Sequence, residues 1–120
     1  MINDKKVHSA LLTPHSSLRV HFIGCIGSFN QFCITQLLKM GKKVTASEYS
    51  LDQTARQKWE DMGILYKGQQ DEKNITSDID LVIIPTGIVP NNPEIEKTKQ
   101  LKIETLTIAQ LTGILSKNHK

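Results

Sequence analysis

The sequence is poor in aromatic residues and has no long apolar run. Aromatic residues make up 5% of the 120 residues, and 15 Lys and Arg against 12 Asp and Glu leave a formal charge of only +3. Scattered lysines with few aromatics are not typical of a nucleic-acid-binding surface, so we expect no nucleic-acid partner. The longest aliphatic run, Leu81–Ile84, is far shorter than the roughly 20 apolar residues of a membrane-spanning helix. We therefore expect no membrane segment.

Cysteine is also scarce, and this bears on the compartment. The two cysteines, Cys25 and Cys33, cannot build a disulfide framework. The first fifteen residues lack the apolar core of a signal peptide. Both features are typical of a cytoplasmic protein with reduced thiols. The histidines show no metal-ligand spacing, and we predict no metal site.

From residue 18 onward, segments typical of strands alternate with segments typical of helices. Strands are predicted at residues 19–24, 43–47, 64–66, 80–84 and 103–106. Helices are predicted between them and after the last strand. This alternation indicates an α/β fold, which we predict to be a Rossmann-like three-layer domain with a five-stranded, mainly parallel sheet. We expect residues 1–17 to form a flexible arm, residues 18–116 the domain and residues 117–120 a tail.

Local signals mark the ends of several predicted helices. Gly41 stands where the first helix would end, as a C-terminal glycine does. Asn92 is the predicted N-cap of the helix that starts at Pro93. Thr107 and Gln110 have the spacing of a capping box at the start of the last helix. These signals set the element boundaries independently of the apolar pattern.

The loop after the first predicted strand is the strongest candidate for a binding site. Ligands on open parallel sheets bind at the carboxyl ends of the strands. The glycines of this loop allow a tight turn, and the N-terminus of the following helix suits a phosphate group. The candidate binding residues are Gly24, Cys25, Ile26, Gly27, Ser28, Phe29 and Asn30.

The same loop fails two nucleotide-binding patterns. Counted from Gly24, Ile26 and Phe29 occupy the second and third glycine positions of G-x-G-x-x-G. No G-K-[ST] occurs in the chain, so no triphosphate-binding loop is predicted. A tight turn without a ligand stays an open alternative. Cys25 lies at a helix N-terminus, but no oriented base can be placed beside it, so we interpret it as a structural thiol and predict no catalytic residue.

An ordered series of segments resembles one protein family, the Mur ligases. These enzymes use ATP to join amino acids or peptides to UDP-N-acetylmuramic acid. The segments that look like those of the family are V-H-F-I-G at 20–24, G-S at 27–28, S-E-Y-S at 47–50, the aliphatic segment at 78–93 and the helix at 108–115. Because they occur in the family's order and at similar spacing, the resemblance covers about residues 19–116.

The resemblance implies a binding module for a nucleotide sugar. In the Mur ligases, the N-terminal domain holds the UDP part of the muramic-acid substrate. Carried over, residues 24–30 would surround the diphosphate. The residues implied near the uridine are Ser47, Glu48 and Tyr49. Those implied on the other side of the ligand are Thr86, Gly87 and Ile88.

The resemblance also implies what the chain would bind and what it would not catalyse. The expected partner is UDP-N-acetylmuramic acid or a UDP-muramoyl derivative. A full-length ligase would use ATP and Mg²⁺ to form an amide with L-alanine or a peptide in peptidoglycan biosynthesis. The family's ATP loop begins beyond residue 120, so we expect missing ligase domains, no cofactor in this chain and no ligation by it alone. Ile26, in place of a small residue, and Glu48, in place of Asp, depart from the family pattern.

Two other functions stay open at this point. In an NAD-type dinucleotide-binding domain, Glu48 at the end of the second strand would hold the ribose hydroxyls. A degenerate, non-catalytic regulatory or interaction protein would have kept the fold and lost the ligand. Binding of a UDP-sugar, of NADH or of neither would separate these functions.

Overall fold

Five strands form a single sheet in which all neighbouring strands are parallel. Their order is β3-β2-β1-β4-β5. The strands are β1 (Arg19–Ile23), β2 (Lys43–Ser47), β3 (Leu65–Tyr66), β4 (Leu81–Ile84) and β5 (Glu104–Thr107). The strand order reverses beside β1, and a crevice at such a reversal is where open parallel sheets bind ligands. The predicted α/β fold is confirmed, and the sheet is wholly parallel.

Within residues 18–117, the described part of the computed structural model has four helices and one short 3₁₀ turn around this sheet. The described residues are 11, 18–24, 28–48, 53–67, 71–84 and 92–117, without the side chains of residues 28–30 and 55. The elements are α1 (Ser28–Lys39), α2 (Gln53–Asp61), the turn Glu72–Asn74, α3 (Pro93–Gln100) and α4 (Ile108–Lys117). Within this described part, no helix is long and apolar enough to cross a membrane.

The predicted helix-end signals are confirmed by hydrogen bonds and dihedral angles. The Oδ1 atom of Asn92 accepts from the backbone N–H of Glu94 at 2.9 Å, at the start of α3. The N–H of Thr107 donates to Gln110 Oε1 at 2.8 Å, and the N–H of Gln110 donates to Thr107 Oγ1 at 3.1 Å. Gly41 has a φ of 81°, which glycine adopts without strain. These local contacts end the helices where the sequence predicts.

One face of the sheet carries the larger apolar core. Its buried side chains come from β1, β2 and β4 on one side and from α1, α2 and α4 on the other. Cys33 and Trp59 are both buried there. Leu11, in the segment predicted to be a flexible arm, is also fully buried in this cluster. The rest of residues 1–17 lies outside the described part, so the arm stays a prediction.

The opposite face has a smaller apolar cluster and a set of buried polar groups. Its apolar residues are Ile23, Ile75, Val82 and Ile95, packed beneath α3 and the 3₁₀ segment. His21 and Glu94 are fully buried as well. Successive strand side chains alternate between faces, so His21 and its neighbour Phe22 enter different layers. Helices on both faces of the sheet make the three-layer arrangement that the sequence predicts.

Candidate functional site

The ends of β1 and β2 meet at the beginning of the glycine loop. The N–H of Gly24 donates to the carbonyl of Ser47 at 2.7 Å. A Cβ atom on Gly24 would lie 3.8 Å from Oε2 of Glu48, so the Glu48 carboxylate rests beside the Gly24 backbone. Gly24 has a φ of 83°, a backbone conformation that residues other than glycine rarely adopt. The structure therefore brings together Gly24, Ser47 and Glu48, three of the predicted binding residues.

The backbone of Glu48 is also held from the side of β3. The hydroxyl of Tyr66 donates to the Glu48 carbonyl at 3.3 Å. The guanidinium carbon of Arg56 lies 5.2 Å from the centre of the Tyr66 ring, within the range of a cation–π contact. Glu48 itself is only partly exposed. The carboxylate of Glu48 is thus a hydrogen-bond acceptor at the carboxyl ends of the strands. The backbone that carries it is held by contacts to β1 and β3.

Ser47 lies at this edge, but its side chain points into the protein. It is fully buried, and its hydroxyl donates to Oε1 of Glu94 at 2.7 Å. Since the Ser47 carbonyl accepts from Gly24, this one residue joins the loop end of β1 to helix α3. Ser47 therefore meets the site through its backbone and through Glu94, and no atom of its side chain is exposed.

Glu94 is the centre of a buried polar cluster. Oε1 accepts from His21 Nε2 and from Ser47 Oγ, both at 2.7 Å. Oε2 accepts from the N–H of Asp71 at 3.0 Å and from Nδ2 of Asn74 at 2.8 Å. A carboxylate can only accept, so Nε2 of His21 must carry a hydrogen. One side chain thus joins β1, β2, the 3₁₀ segment and α3.

The charge on Glu94 is compensated from several directions. Burial raises the pKa of this carboxyl, but hydrogen bonds from His21, Asn74 and Ser47 and the attraction of His21 outweigh burial and hold the pKa below its usual value. Glu94 also lies in the first turn of α3, where the helix dipole favours a negative charge. On its other side, His21 Nδ1 contacts Thr45 Oγ1 at 2.7 Å. Glu94 is therefore ionised at neutral pH.

Other predicted site residues lie wholly or partly outside the described part of the chain. Ser28, Phe29 and Asn30 form the first turn of α1, as predicted for a helix N-terminus facing the loop, but their side chains are not described. The candidates that fall outside are Cys25, Ile26, Gly27, Tyr49, Thr86, Gly87 and Ile88. For these residues the predicted contacts stay predictions.

Sequence reasoning missed the role of Glu94. Neither Glu94 nor His21 is among the candidate site residues predicted from the sequence. The one usable signal was a histidine inside an otherwise apolar strand, because a buried imidazole needs a hydrogen-bond partner. That partner is 73 residues away, too far for any local pattern.

A groove of about 370 Å³ lies at the opposite edge of the sheet. It is lined by the first residues of β1 and β2, Arg19 and Lys43, among others. Arg19 is already paired there with Asp78 at 2.8 Å. Parallel sheets bind ligands at the carboxyl ends of their strands, where Gly24 and Glu48 lie, whereas this groove lies at the amino ends.

The described residues show neither a metal-binding group nor a reactive thiol. They contain no group of three or more His, Cys, Asp or Glu side chains placed to hold a metal ion. Burial raises the pKa of the Cys33 thiol, which lies 3.4 Å from Thr112 Oγ1. A thiol with a raised pKa is a poor nucleophile at neutral pH. Cys33 is therefore a core residue.

The chain is similar in sequence to known proteins. The family model "Mur ligase family, catalytic domain" matches residues 19–120. The chain is 38% identical over 103 residues to the UDP-N-acetylmuramate–L-alanine ligase of Clostridium kluyveri, covering 85% of this chain and 22% of that enzyme. It is 36% identical over 112 residues to the same enzyme of Acetivibrio thermocellus, covering 92% of this chain and 23% of the relative.

A solved structure shares the fold. The UDP-N-acetylmuramate:L-alanyl-gamma-D-glutamyl-meso-diaminopimelate ligase of Neisseria meningitides superposes with a TM-score of 0.72 at 18% identity, over 86% of this chain and 31% of that one. At this identity the likeness shows the fold alone. The chain spans 22% of the length of the Clostridium kluyveri relative, so it corresponds to a part of that enzyme. The family match covers nearly the whole chain, and the protein belongs to the Mur ligase family.

Proposed function

We propose that this chain is the UDP-N-acetylmuramic-acid-binding domain of a Mur-type peptidoglycan ligase. One observation carries the proposal: the Glu48 carboxylate lies beside Gly24, at the start of a glycine loop that leads into helix α1. A helix N-terminus and loop N–H groups suit a diphosphate, and a carboxylate at the neighbouring strand end suits hydroxyl or N–H donors. A nucleotide diphosphate carries both kinds of group.

In this proposal, different residues contact different parts of the ligand. Residues 24–30 surround the diphosphate, and Ser28 and Asn30 add hydrogen-bond donors. Glu48 accepts from the ribose or the uracil, one methylene further out than the family's aspartate would. Tyr49 lies near the uridine, and residues 86–88 close the other side of the ligand. The ligand in this proposal is a UDP-muramoyl compound, as the names of the relatives suggest.

The chain contributes binding and orientation to the reaction rather than bond formation. In a complete ligase, ATP would activate the muramoyl carboxyl as an acyl phosphate that an amine then attacks. The chain has no G-K-[ST] segment, so its residues do not fit an ATP phosphate loop. We place this function in the cytoplasm, where the sequence predicts the protein to reside.

Thermal unfolding in the presence of ligands tests the proposal. A ligand at 100 times its dissociation constant adds about 2.7 kcal/mol of stability. For a domain of this size, that corresponds to a rise of several degrees in Tm. We expect UDP-N-acetylmuramic acid to produce this rise, UDP to produce a smaller one and NADH to produce none.

A pair of variants makes the test specific to the site. Glu48→Gln keeps the side-chain size and removes the charge beside Gly24, so we expect it to reduce the ligand-induced rise in Tm. Glu72→Gln makes the same change at an exposed position of the 3₁₀ turn and should leave the rise unchanged. Stabilisation by NADH alone would replace the proposal with a dinucleotide-binding function. Absence of a rise with every ligand would favour a degenerate domain.

A further inference from the structure

We propose that Glu94 is a positioning residue for the ligand site, acting through Ser47 on Gly24 and Glu48. This inference rests on the proposed function, because it concerns the same strand ends. Glu94 is buried and would not touch the ligand. Its effect would be to hold the end of β2 in the geometry that presents Glu48 beside the glycine loop.

The polar cluster around Glu94 is costly to bury. A buried charge is expensive, and an apolar group of similar size often stabilises a protein as well as a buried ion pair does. Here the charge is kept, and four donors converge on its two oxygens. Such a fully satisfied network holds its members in one arrangement. Glu94 therefore fixes the relative positions of the elements that meet at it.

Ser47 has a double role at the end of β2. Its hydroxyl donates to Glu94 at 2.7 Å, and its carbonyl accepts from Gly24 at 2.7 Å. The residue that follows is Glu48, whose carboxylate lies beside Gly24. Rotation of the Ser47 backbone would move both the acceptor for Gly24 and the attachment of Glu48. The bond to Glu94 restricts that rotation.

The two carboxylate oxygens of Glu94 accept hydrogen bonds from different elements. Oε1 receives the donors from the strands, His21 and Ser47. Oε2 receives the donors from the 3₁₀ segment, Asp71 and Asn74. Only the Oε1 side connects directly to the ligand edge. Ser47→Ala and Asn74→Ala therefore each remove one donor from the same carboxylate, yet only the first breaks the connection to Gly24 and Glu48.

The first measurement needs no ligand. Residue-resolved amide hydrogen exchange by NMR on the 120-residue chain would report the Gly24 N–H, which is bonded to Ser47. Both alanine variants are expected to lose some global stability. Ser47→Ala should accelerate exchange at Gly24 about tenfold relative to amides in the core of α4, whereas Asn74→Ala should change both equally. Equal effects of the two variants at Gly24 would overturn the positioning role, whether or not the chain binds a UDP-sugar.

The second measurement uses UDP-N-acetylmuramic acid and calorimetry. Ser47→Ala should weaken binding about tenfold, and Asn74→Ala should leave the dissociation constant within about twofold. If Ser47 acts through Glu94, the double variant Ser47→Ala/Glu94→Leu should bind no more weakly than Glu94→Leu alone, because leucine offers the Ser47 hydroxyl no acceptor. Additive losses would show that Ser47 contributes independently of Glu94 and would overturn the inference. Absence of binding by the unmodified chain would refute the proposed function, while the exchange measurement would still decide the positioning role.

Discussion

Phe22 and His21 are neighbours on β1, yet they are buried on opposite faces of the sheet by different means. Phe22 packs among aliphatic side chains of the larger core cluster. His21 is buried just as completely, but it is held by hydrogen bonds to Thr45 and Glu94. Apolar packing is non-directional, whereas each hydrogen bond in the polar cluster requires a particular atom at a particular place.

This difference separates two tasks within one small domain. The apolar face holds the larger cluster of buried apolar side chains and therefore supplies most of the stabilisation from the hydrophobic effect. The polar face supplies less apolar burial but connects four elements at the edge where the ligand site is proposed. We therefore expect the first face to tolerate changes that conserve volume, and the second to respond to changes of single atoms.

The largest expected effect comes from removing the centre of the polar cluster. Glu94→Leu fills much of the space but leaves His21, Ser47 and Asn74 without their acceptor. Loss of one partner of a buried pair typically costs about 3–5 kcal/mol. Phe22→Leu, a matched change on the apolar face, should cost about 1–1.5 kcal/mol. Urea denaturation of both variants measures this contrast, and equal costs would show that the two faces do not differ as we describe.

The next effect is a loss of stability in acid that depends on Glu94. Its pKa in the folded protein lies below the ordinary value of 4.5, so the unfolded chain binds the proton more tightly. The stability from Glu94 is therefore present above about pH 4.5 and is lost as the pH falls through the lower, folded pKa. A single group contributes a slope of at most about 1.4 kcal/mol per pH unit. Denaturation midpoints between pH 7 and pH 3 measure this slope.

The matched control for the acid effect is an exposed carboxyl. The pKa of Asp78 is also lowered, first by a hydrogen bond from Thr76 and also by Arg19. The side chain of Asp78 is 56% exposed and solvent screens its interactions, so Asp78→Asn should alter the acid slope much less than Glu94→Gln does. If Glu94→Gln left the slope unchanged, the charge on Glu94 would not be what stabilises the cluster.

The smallest effect compares the caps of two helices. Asn92→Ala and Thr107→Ala each remove a side chain that accepts a hydrogen bond at a helix N-terminus, and each should cost about 1 kcal/mol. Asn92 caps α3, which carries Glu94, whereas Thr107 caps α4 on the apolar face. We expect only Asn92→Ala to weaken binding of UDP-N-acetylmuramic acid as well. Similar affinities for the two variants would indicate that α3 can shift without disturbing the ligand edge.

The predicted elements agree well with those observed because their signals are local. The first strand was predicted at 19–24 and is observed at Arg19–Ile23. The last strand was placed at 103–106 and is observed at Glu104–Thr107, a shift of one residue. The capping box of Thr107 and Gln110 involves residues three apart, so its spacing can be read directly. Alternation of such elements is also sufficient to predict a parallel α/β sheet.

The candidate site was predicted less completely. Strand-end reasoning and the resemblance to the Mur ligases identified Gly24 and Glu48, and the structure places them side by side. Ser47 was predicted among the ligand contacts, but the inward direction of its hydroxyl depends on Glu94, which comes from a later part of the chain. The burial of Leu11 is a second example, because the residues that surround it come from distant elements.

Residue order and composition were therefore enough to establish the class of fold, the ends of most elements and the family. Each of these depends on side chains within a few positions of one another, or on segments that keep their order along the chain. The strand order around β1 and the cluster at Glu94 depend instead on contacts between distant residues, such as the 73-residue separation of His21 and Glu94. Folding creates those contacts, because an unpaired buried histidine or carboxylate is too costly to remain without a partner.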